Sequence, residues 1–289
     1  MRQTARNVLT VGAVFGVVAA AANWETIDAE LEKRFNTNAE TESTTTSTTT
    51  LQAAGSLTGS VVVLDPGHHP NNASHPGPDG IGAQVSDGRG GMKDCNKTGT
   101  ASEDGYSEGQ FNLDVAAKLT TALTNLGATV ISTADGNPND YGPCLTGPNS
   151  RAEIISRNHP AAAVSIHADG AKHPDGSIDT EASGFHIIVS GYNESAPSRA
   201  LAQKLNTNLL AIGGVQCSDY IPLEDPASCL DIRDDLAVPN TIDAAIPLVT
   251  LESGNMKNPS EAARLADPAF QQQWAEAIAG AIEAQLTQG

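Results

Sequence analysis

The chain has 289 residues, of which 39% are hydrophobic and only 4% aromatic, so its core must be built mainly from Val, Ile, Leu and Ala. Sixteen basic residues against 34 acidic ones give a formal net charge of −18 at pH 7. Such a charge repels nucleic acid and anionic lipid, which excludes both as expected partners. It also repels anionic polymers, so any substrate of that kind has to be held locally, inside a cleft.

Residues 1–22 are typical of a secretory signal peptide. Arg2 and Arg6 precede an apolar run from Val8 to Ala22, and the segment contains no acidic residue. The apolar run is short for a membrane span, although an uncleaved N-terminal anchor is the alternative. Residues 23–59 include the run ETESTTTSTTT, which predicts a flexible tether with a possible short helix ahead of it. We therefore expect the folded domain over residues 60–289.

The four cysteines indicate an oxidising compartment and two disulfides. The sequence leaves three pairings open, and pairing between neighbours in the chain, Cys95–Cys144 and Cys217–Cys229, is favoured. No two cysteines are spaced as CxxC, which argues against a cysteine-based zinc site. Together with the N-terminal segment, the cysteines predict a protein that is secreted or located in the cell envelope.

Strands and helices alternate along the rest of the chain. The apolar run 61–65 ends at Pro66-Gly67, which predicts a strand buried on both faces. Ser107 is a predicted N-cap, and the helix that follows has a regular apolar face and stops at Gly127. Further strands are predicted at 128–132, 161–167, 185–190 and 247–252, and further helices at 149–157, 198–212 and 268–286. This order predicts one α/β domain with a mostly parallel, twisted sheet of about six strands and helices on both faces.

Four residues with metal-binding or proton-accepting side chains follow an apolar run or begin a helix: His68, Glu108, His167 and Glu252. Such positions face the crevice at the carboxyl ends of the strands. Two imidazoles and one carboxylate leave a fourth position of a tetrahedral Zn²⁺ site for water. We predict His68, Glu108 and His167 as the zinc ligands, with Glu252 as the base. The alternatives are loop histidines without a metal, helix capping by Glu108 and a structural salt bridge of Glu252.

The sequence resembles a known family of enzymes at four segments: DPGH at 65–68, YSEGQFNLDVAAKL at 106–119, VSIHADG at 164–170 and LESGN at 251–255. In order and spacing they are similar to the zinc-dependent N-acetylmuramoyl-L-alanine amidases of the Amidase_3 type. The segments GRGGMKDC, GPC and ESGNMKNP further resemble actinobacterial members, including the mycobacterial type. The resemblance implies the same three zinc ligands, Glu252 as the catalytic residue, and a disulfide between Cys95 and Cys144.

The chain departs from the family pattern at three places. Asp169 stands where many relatives have Asn, and His69 stands where Gly is common. The loop that contains Cys217 and Cys229 has no counterpart that we can match.

The resemblance implies a peptidoglycan hydrolase, an autolysin that cleaves the amide bond between the lactyl group of N-acetylmuramic acid and L-Ala of the stem peptide. Peptidoglycan and muropeptides are then the expected partners of a monomeric enzyme without a stable membrane partner. We expect His186 and Asn255 to contact the substrate, with burial in the sheet as the alternative for His186. The rival interpretations are a wall-binding or regulatory protein without turnover, and a zinc peptidase or deacetylase acting on a similar polymer.

Overall fold

The computed structural model describes residues 55–193 and 195–288. The predicted signal peptide and most of the predicted tether lie outside these residues. The described strands are β1 (Val61–Pro66), β2 (Gln84–Ser86), β3 (Met92–Asp94), β4 (Thr129–Ser132), β5 (Ala162–Asp169), β6 (His186–Ser190), β7 (Leu230–Arg233) and β8 (Leu248–Asn255). The described helices are α1 (Glu108–Asn125), α2 (Arg151–Asn158), α3 (Ala196–Leu210), α4 (Ala237–Thr241), α5 (Pro259–Ala266) and α6 (Pro268–Gln288).

One six-stranded sheet, in the order β4-β1-β5-β8-β6-β7, forms the centre of the fold. The four neighbours β4, β1, β5 and β8 are parallel, and β6 pairs antiparallel with β8. The last strand, β7, is parallel to β6. The prediction of a mostly parallel sheet of about six strands is therefore confirmed, and the two strands at one side run in the opposite direction. A separate hairpin, β2–β3, completes the strands described.

Helices cover both faces of the sheet, as predicted. The first face carries the main hydrophobic core, in which residues such as Val164 and Leu251 pack with side chains of α1, α3 and α6. The second face carries a smaller core, in which Val63, Ala163 and Leu248 pack with side chains of α2 and α4. Side chains alternate between the two faces along each strand, and both faces are covered by helices. The strands are therefore continuous apolar runs over much of their length.

The structure differs from the sequence prediction at several boundaries. Helix α2 starts at Arg151 and not at Asn149, because the Ser150 side chain accepts a hydrogen bond from the Glu153 N–H and so caps the helix. Leu57 is buried in the main core, so the packed domain already includes residues before 60. The hairpin β2–β3, strand β7 and helices α4 and α5 were not predicted, since all are short.

Two disulfides join neighbouring cysteines along the chain, Cys95 to Cys144 and Cys217 to Cys229. This is the pairing favoured from the sequence. None of the helices among the described residues is long and apolar enough to cross a lipid bilayer.

A buried ion pair holds the carboxyl end of β1. Asp65 Oδ1 lies 2.6 Å from Arg151 Nη1, and both side chains are 2% exposed. Thr133 and Ser165 donate hydrogen bonds to the two carboxylate oxygens at 2.6 and 2.7 Å. Burial alone would raise the pKa of Asp65, but the Arg151 charge and these donors outweigh it and leave the pKa below its ordinary value. The stabilisation from this pair is therefore present above the ordinary pKa of aspartate and is lost as the pH falls through the lower folded-state value.

The same guanidinium binds the backbone of the turn after β1. Arg151 donates to the carbonyl oxygens of Pro66 at 2.5 Å, His68 at 2.8 Å and Pro143 at 3.2 Å. It therefore connects the end of β1 to the loop that contains Cys144. Together with Asn112, which donates to the Gly67 carbonyl oxygen, this side chain holds the residues after β1 in place.

We expect Arg151→Met to lower the free energy of unfolding by about 3–5 kcal/mol, because it leaves the Asp65 carboxylate buried without its partner. Urea unfolding followed by circular dichroism measures this change. Arg157→Met is the matched control, since Arg157 is exposed in the last turn of the same helix, and it should cost less than about 1 kcal/mol. Equal stabilities of the two variants would contradict the importance of the buried pair.

Candidate active site

Three of the four predicted site residues are brought together by the register of adjacent parallel strands. Pro66 pairs with Ile166, so that His68 follows β1 next to His167 on β5. His167 in turn pairs with Glu252 on β8. Along the second face, β5 presents Ala163, Ser165 and His167, and β8 presents Leu248, Thr250 and Glu252. The face thus changes from apolar to polar to chemically reactive toward the carboxyl edge of the sheet, where parallel sheets bind ligands.

The imidazole of His68 is fixed by contacts outside the site. Its Nδ1 lies 2.8 Å from the Lys97 carbonyl oxygen, which makes Nδ1 the donor and leaves Nε2 free to bind a metal. Its backbone has a φ of 55°, a left-handed conformation that is unusual for a histidine. The hydrogen bond from Arg151 to the His68 carbonyl holds this conformation in place.

Glu108 is the first residue of α1 and bridges the two imidazoles. Its Oε1 lies 2.9 Å from His167 Nδ1 and 3.3 Å from His68 Nε2. Its Oε2 accepts a hydrogen bond from the Thr100 N–H at 2.9 Å. Ser107 caps the helix by accepting from the Gln110 N–H, so that the carboxylate is presented at the N-terminus of α1, where the helix dipole favours a negative charge.

The charges of this group stabilise one another. Burial alone would raise the pKa of Glu108, but His68 and His167 outweigh it and hold the pKa well below its ordinary value. Burial alone would lower the pKa of His68, yet the Glu108 carboxylate reverses this and raises it. A set of metal ligands shows such mutual stabilisation when no metal is bound, because protons on the imidazoles then supply the positive charge.

The three side chains fit a divalent metal. One donor atom from each of His68, Glu108 and His167 lies within 4.8 Å of the other two. Two imidazole nitrogens and one carboxylate oxygen are a ligand set that Zn²⁺ uses in hydrolytic sites, with a fourth position open. No second group of three such residues converges in this way within residues 55–193 and 195–288.

Glu252 has a different environment from Glu108. Its Oε2 is buried without a hydrogen-bond partner, and none of the ion pairs among the described residues includes it. Burial raises the pKa of Glu252 to about 8; the His167 imidazole opposes this shift, and the carboxylates of Glu108 and Asp169 add to it. The structural salt bridge considered from the sequence is therefore not formed. A carboxyl group whose pKa lies near neutral pH is suited to accept and return a proton.

Glycine is required where the backbone passes under the His167 ring. A Cβ atom on Gly67 would lie 2.1 Å from His167 Cε1, far closer than two carbon atoms can approach. A β-bulge between His167 and Asp169 shifts the β5–β8 register at the same place, and bulges are frequent beside active sites because they redirect side chains.

Two cavities, of about 220 and 350 Å³, flank the candidate metal ligands, and both are lined by His68 and Glu252. Five basic side chains other than the buried Arg151 line them: Lys93, Lys97, Lys172, Arg233 and Lys257. Arg233 is also paired with Asp235, at 2.8 Å. Lys97 is paired with Asp94, and the carboxyl groups of Asp65, Glu108, Asp169 and Glu252 line the same cavities. The cleft therefore combines positive and negative side chains in a protein with a net charge of −18.

The structure does not bring His186 and Asn255 into contact with the cleft. His186 is 1% exposed, and burial, with the charge of Arg233, lowers its pKa to about 3, so the ring is neutral. His186 is therefore buried in the sheet, which was the alternative interpretation of the sequence. Asn255 is fully buried, and its amide group is occupied by four backbone hydrogen bonds, with Ala171, Asp179, Ala182 and Lys257. The expected substrate contact is therefore corrected to a structural role in holding the loop after β5.

Sequence reasoning did not identify Asp65, Arg151 and Arg233 as parts of this region. Asp65 carried the same signal as Glu252, a charged residue at the end of an apolar strand. Arg151 and Arg233 carried no local signal, because an arginine at the start of a helix or end of a strand is usually exposed.

The chain is similar to known proteins in both sequence and structure. The Amidase_3 family model, described as N-acetylmuramoyl-L-alanine amidase, matches residues 62–284. The N-acetylmuramoyl-L-alanine amidase Rv3717 of Mycobacterium tuberculosis is 34% identical over 239 residues, which cover 81% of this chain and 89% of the relative.

Two solved structures of the N-acetylmuramyl-L-alanine amidase Ami1 are also similar. The one from Mycobacterium smegmatis has a TM-score of 0.69 and 35% identity, and the match covers 81% of this chain and 99% of that chain. The apo form from Mycobacterium abscessus has a TM-score of 0.67 and 35% identity, over 80% and 100% of the two chains.

Gly67→Ala should displace the His167 ring, because the added methyl group and the ring cannot occupy the same space. We expect a loss of about 1–3 kcal/mol in the free energy of unfolding and a weaker affinity for Zn²⁺, measured by urea unfolding and by calorimetric titration. Gly77→Ala is the control, because a Cβ at Gly77 meets no atom within 4 Å and its stability should be unchanged or slightly raised. An unchanged Zn²⁺ affinity of Gly67→Ala would show that His167 is not a ligand.

Proposed function

Since the chain belongs to the Amidase_3 family of N-acetylmuramoyl-L-alanine amidases, which are peptidoglycan hydrolases, we propose that it hydrolyses the bond between the lactyl group of N-acetylmuramic acid and L-Ala with the help of Zn²⁺. The observation that carries the proposal is the convergence of two imidazoles and a carboxylate within 4.8 Å, beside a second carboxyl group that has no partner. The first three side chains bind the ion, and the fourth transfers protons.

The zinc ligands are held before any metal binds. The Lys97 carbonyl orients His68, and the Thr100 and Ala168 N–H groups orient the Glu108 carboxylate. Such contacts around metal ligands typically preserve affinity by fixing ring and carboxylate orientation. When bound, Zn²⁺ supplies a Lewis acid that polarises the scissile carbonyl and lowers the pKa of a bound water to about 7.

Glu252 performs the proton transfers of the reaction. It accepts a proton from the attacking water and returns it to the nitrogen of L-Ala as the amide bond breaks. Burial raises the pKa of Glu252, while the charges of His167 and Arg233 oppose this shift. Because no ion pair with a lysine or arginine among the described residues fixes the group in its ionised form, it can take up a proton as a base and return it as an acid.

The basic side chains of the two cavities support an acidic substrate. Stem peptides carry carboxylate groups, and a protein with this net charge repels them except where cations are concentrated. Lys93 and Arg233 lie on one side of the candidate metal ligands, and Lys172 and Lys257 lie on the other. Positive charge on both sides can hold the carboxylates of a peptide that extends across the metal site.

We also propose that the protein acts outside the cytoplasm, as a monomer. Two disulfides are consistent with an oxidising compartment, and the family acts on the cell wall. In this proposal residues 1–22 are a signal peptide, residues 23–59 are largely a tether and residues 60–289 form the catalytic domain. N-terminal sequencing and size-exclusion chromatography of the exported protein test these points.

Glu252→Gln should retain Zn²⁺ and lose peptide release by about 10²–10⁴-fold, because the amide cannot accept a proton from water. Metal content is measured by mass spectrometry of the purified protein, and release of stem peptide is measured on purified peptidoglycan. Glu276→Gln, an exposed position on α6, is the matched control and should remain fully active. An active Glu252→Gln variant would remove Glu252 from the proposed role.

Removal of the metal by a chelator should abolish peptide release, and added Zn²⁺ should restore it. The products on defined muropeptides should be a peptide with a free L-Ala amine and an intact N-acetylmuramic acid. A peptidase would instead cut within the stem peptide, and a deacetylase would release acetate. Release that continues at full rate without a metal would contradict the zinc mechanism.

A further inference from the structure

The loop closed by Cys217 and Cys229 is tied to the strand beside Glu252. At its start, the Ser218 N–H donates to the Phe185 carbonyl at 2.7 Å, and at its end the Ile187 N–H donates to the Cys229 carbonyl at 2.8 Å. The two attachments lie on either side of His186. The disulfide joins the two ends, so the position of this loop is coupled to that of β6.

Buried polar atoms without a hydrogen-bond partner are concentrated in this region. Four of the seven found among the described residues belong to it: His186 Nδ1, Ser218 Oγ, Tyr220 Oη and Glu252 Oε2. A buried polar atom without a partner destabilises the folded state. A cluster of such groups at one place in a stable core indicates that they serve one another or the reaction.

These residues form a continuous series that ends at Glu252. His186 and Glu252 are direct partners in the antiparallel pair of β6 and β8, and directly opposite residues point to the same face of a sheet. The ring of Tyr220 lies edge-on to that of His186, with centroids 6.1 Å apart and an angle of 84°. The loop therefore places the Tyr220 ring against His186, the strand partner of Glu252.

The hydrogen-bonding capacities of the three groups are complementary. Burial raises the pKa of the Tyr220 hydroxyl, and the charges of Asp169 and Glu252 raise it further. Together they outweigh the nearby Ser218 hydroxyl, which lowers it, so Tyr220 remains a donor. A neutral imidazole has one acceptor and one donor nitrogen. If His186 Nδ1 accepts from the tyrosine hydroxyl, Nε2 carries the proton and can donate toward a carboxylate.

We propose that Tyr220 and His186 are positioning residues for Glu252, held in place by the disulfide-closed loop. The hydroxyl orients the imidazole, and the imidazole, directly or through a shared water, orients the buried oxygen of the Glu252 carboxyl group. The other oxygen is thereby left free to face the reacting water and the leaving nitrogen. This inference rests on the proposed role of Glu252, and it assigns a role to the loop that has no match in the family pattern.

Tyr220→Phe is the decisive variant, because it removes the hydroxyl and keeps the ring against His186. We expect kcat for peptide release to fall by about 10- to 100-fold, while KM, Zn²⁺ content and thermal stability stay at wild-type values. If Tyr220 had only a structural role, kcat would not change. Removing a buried hydroxyl that has no partner would then leave the stability unchanged or raise it. Tyr192→Phe is the matched control, because Tyr192 is 53% exposed, and it should behave as the wild type.

Variants of His186 and of the loop cysteines complete the test. His186→Gln keeps one donor and one acceptor and should retain more activity than His186→Leu. The double variant Cys217→Ser/Cys229→Ser should lower kcat, and combining it with Tyr220→Phe should add little further loss, because both changes act through the same hydroxyl.

The outcomes separate this proposal from the proposed function. A wild-type kcat for Tyr220→Phe, with zinc-dependent hydrolysis intact, would overturn the positioning role and leave the zinc amidase mechanism standing. Equal kcat values of His186→Gln and His186→Leu would also overturn it. Zinc-independent hydrolysis by the wild-type protein in the same assay would overturn both.

Discussion

The position of the candidate metal site depends on one buried ion pair, between Asp65 and Arg151. The low-dielectric interior makes each charge costly unless it is paired, and the pairing here is completed by Thr133 and Ser165. The spare donors of the guanidinium bind the turn after β1, including the carbonyl of His68. A left-handed histidine backbone, unfavourable by itself, is thereby maintained next to β5. The ion pair therefore supports the backbone of the first metal ligand, while the Lys97 carbonyl oxygen orients its ring.

The two glutamates of the site illustrate how environment divides chemical roles between identical side chains. Glu108 lies between two imidazoles at a helix N-terminus, which favours its ionised form and suits a metal ligand. Glu252 is half-buried, with one carboxylate oxygen fully buried and without a hydrogen-bond partner, which favours its protonated form and suits proton transfer. The strand register places Glu252 beside His167, and the N-terminus of α1 places Glu108 there. Around them, six of the basic residues of this acidic protein line the two cavities of the site.

Much of the fold and of the site could be predicted from the chain because the signals were local. The strands before His68, His167 and Glu252 are continuous apolar runs, and Ser107 marks the start of the helix that carries Glu108. Short elements such as β7 and α4 were not predicted, since a few residues do not establish a period. His186 and Asn255 were expected to contact substrate, yet a polar residue beside a motif gives no sign of whether other parts of the chain cover it.

The amino-acid sequence by itself determined the class of fold, the family resemblance and the identity of the four reactive residues, because each depends on residue type and on spacing along the chain. Only the tertiary structure decided that Arg151 supports His68, that Glu252 lacks a charged partner and that Tyr220 lies against His186. These are contacts between residues far apart in the sequence. They arise from packing and burial, which no local pattern of residues encodes.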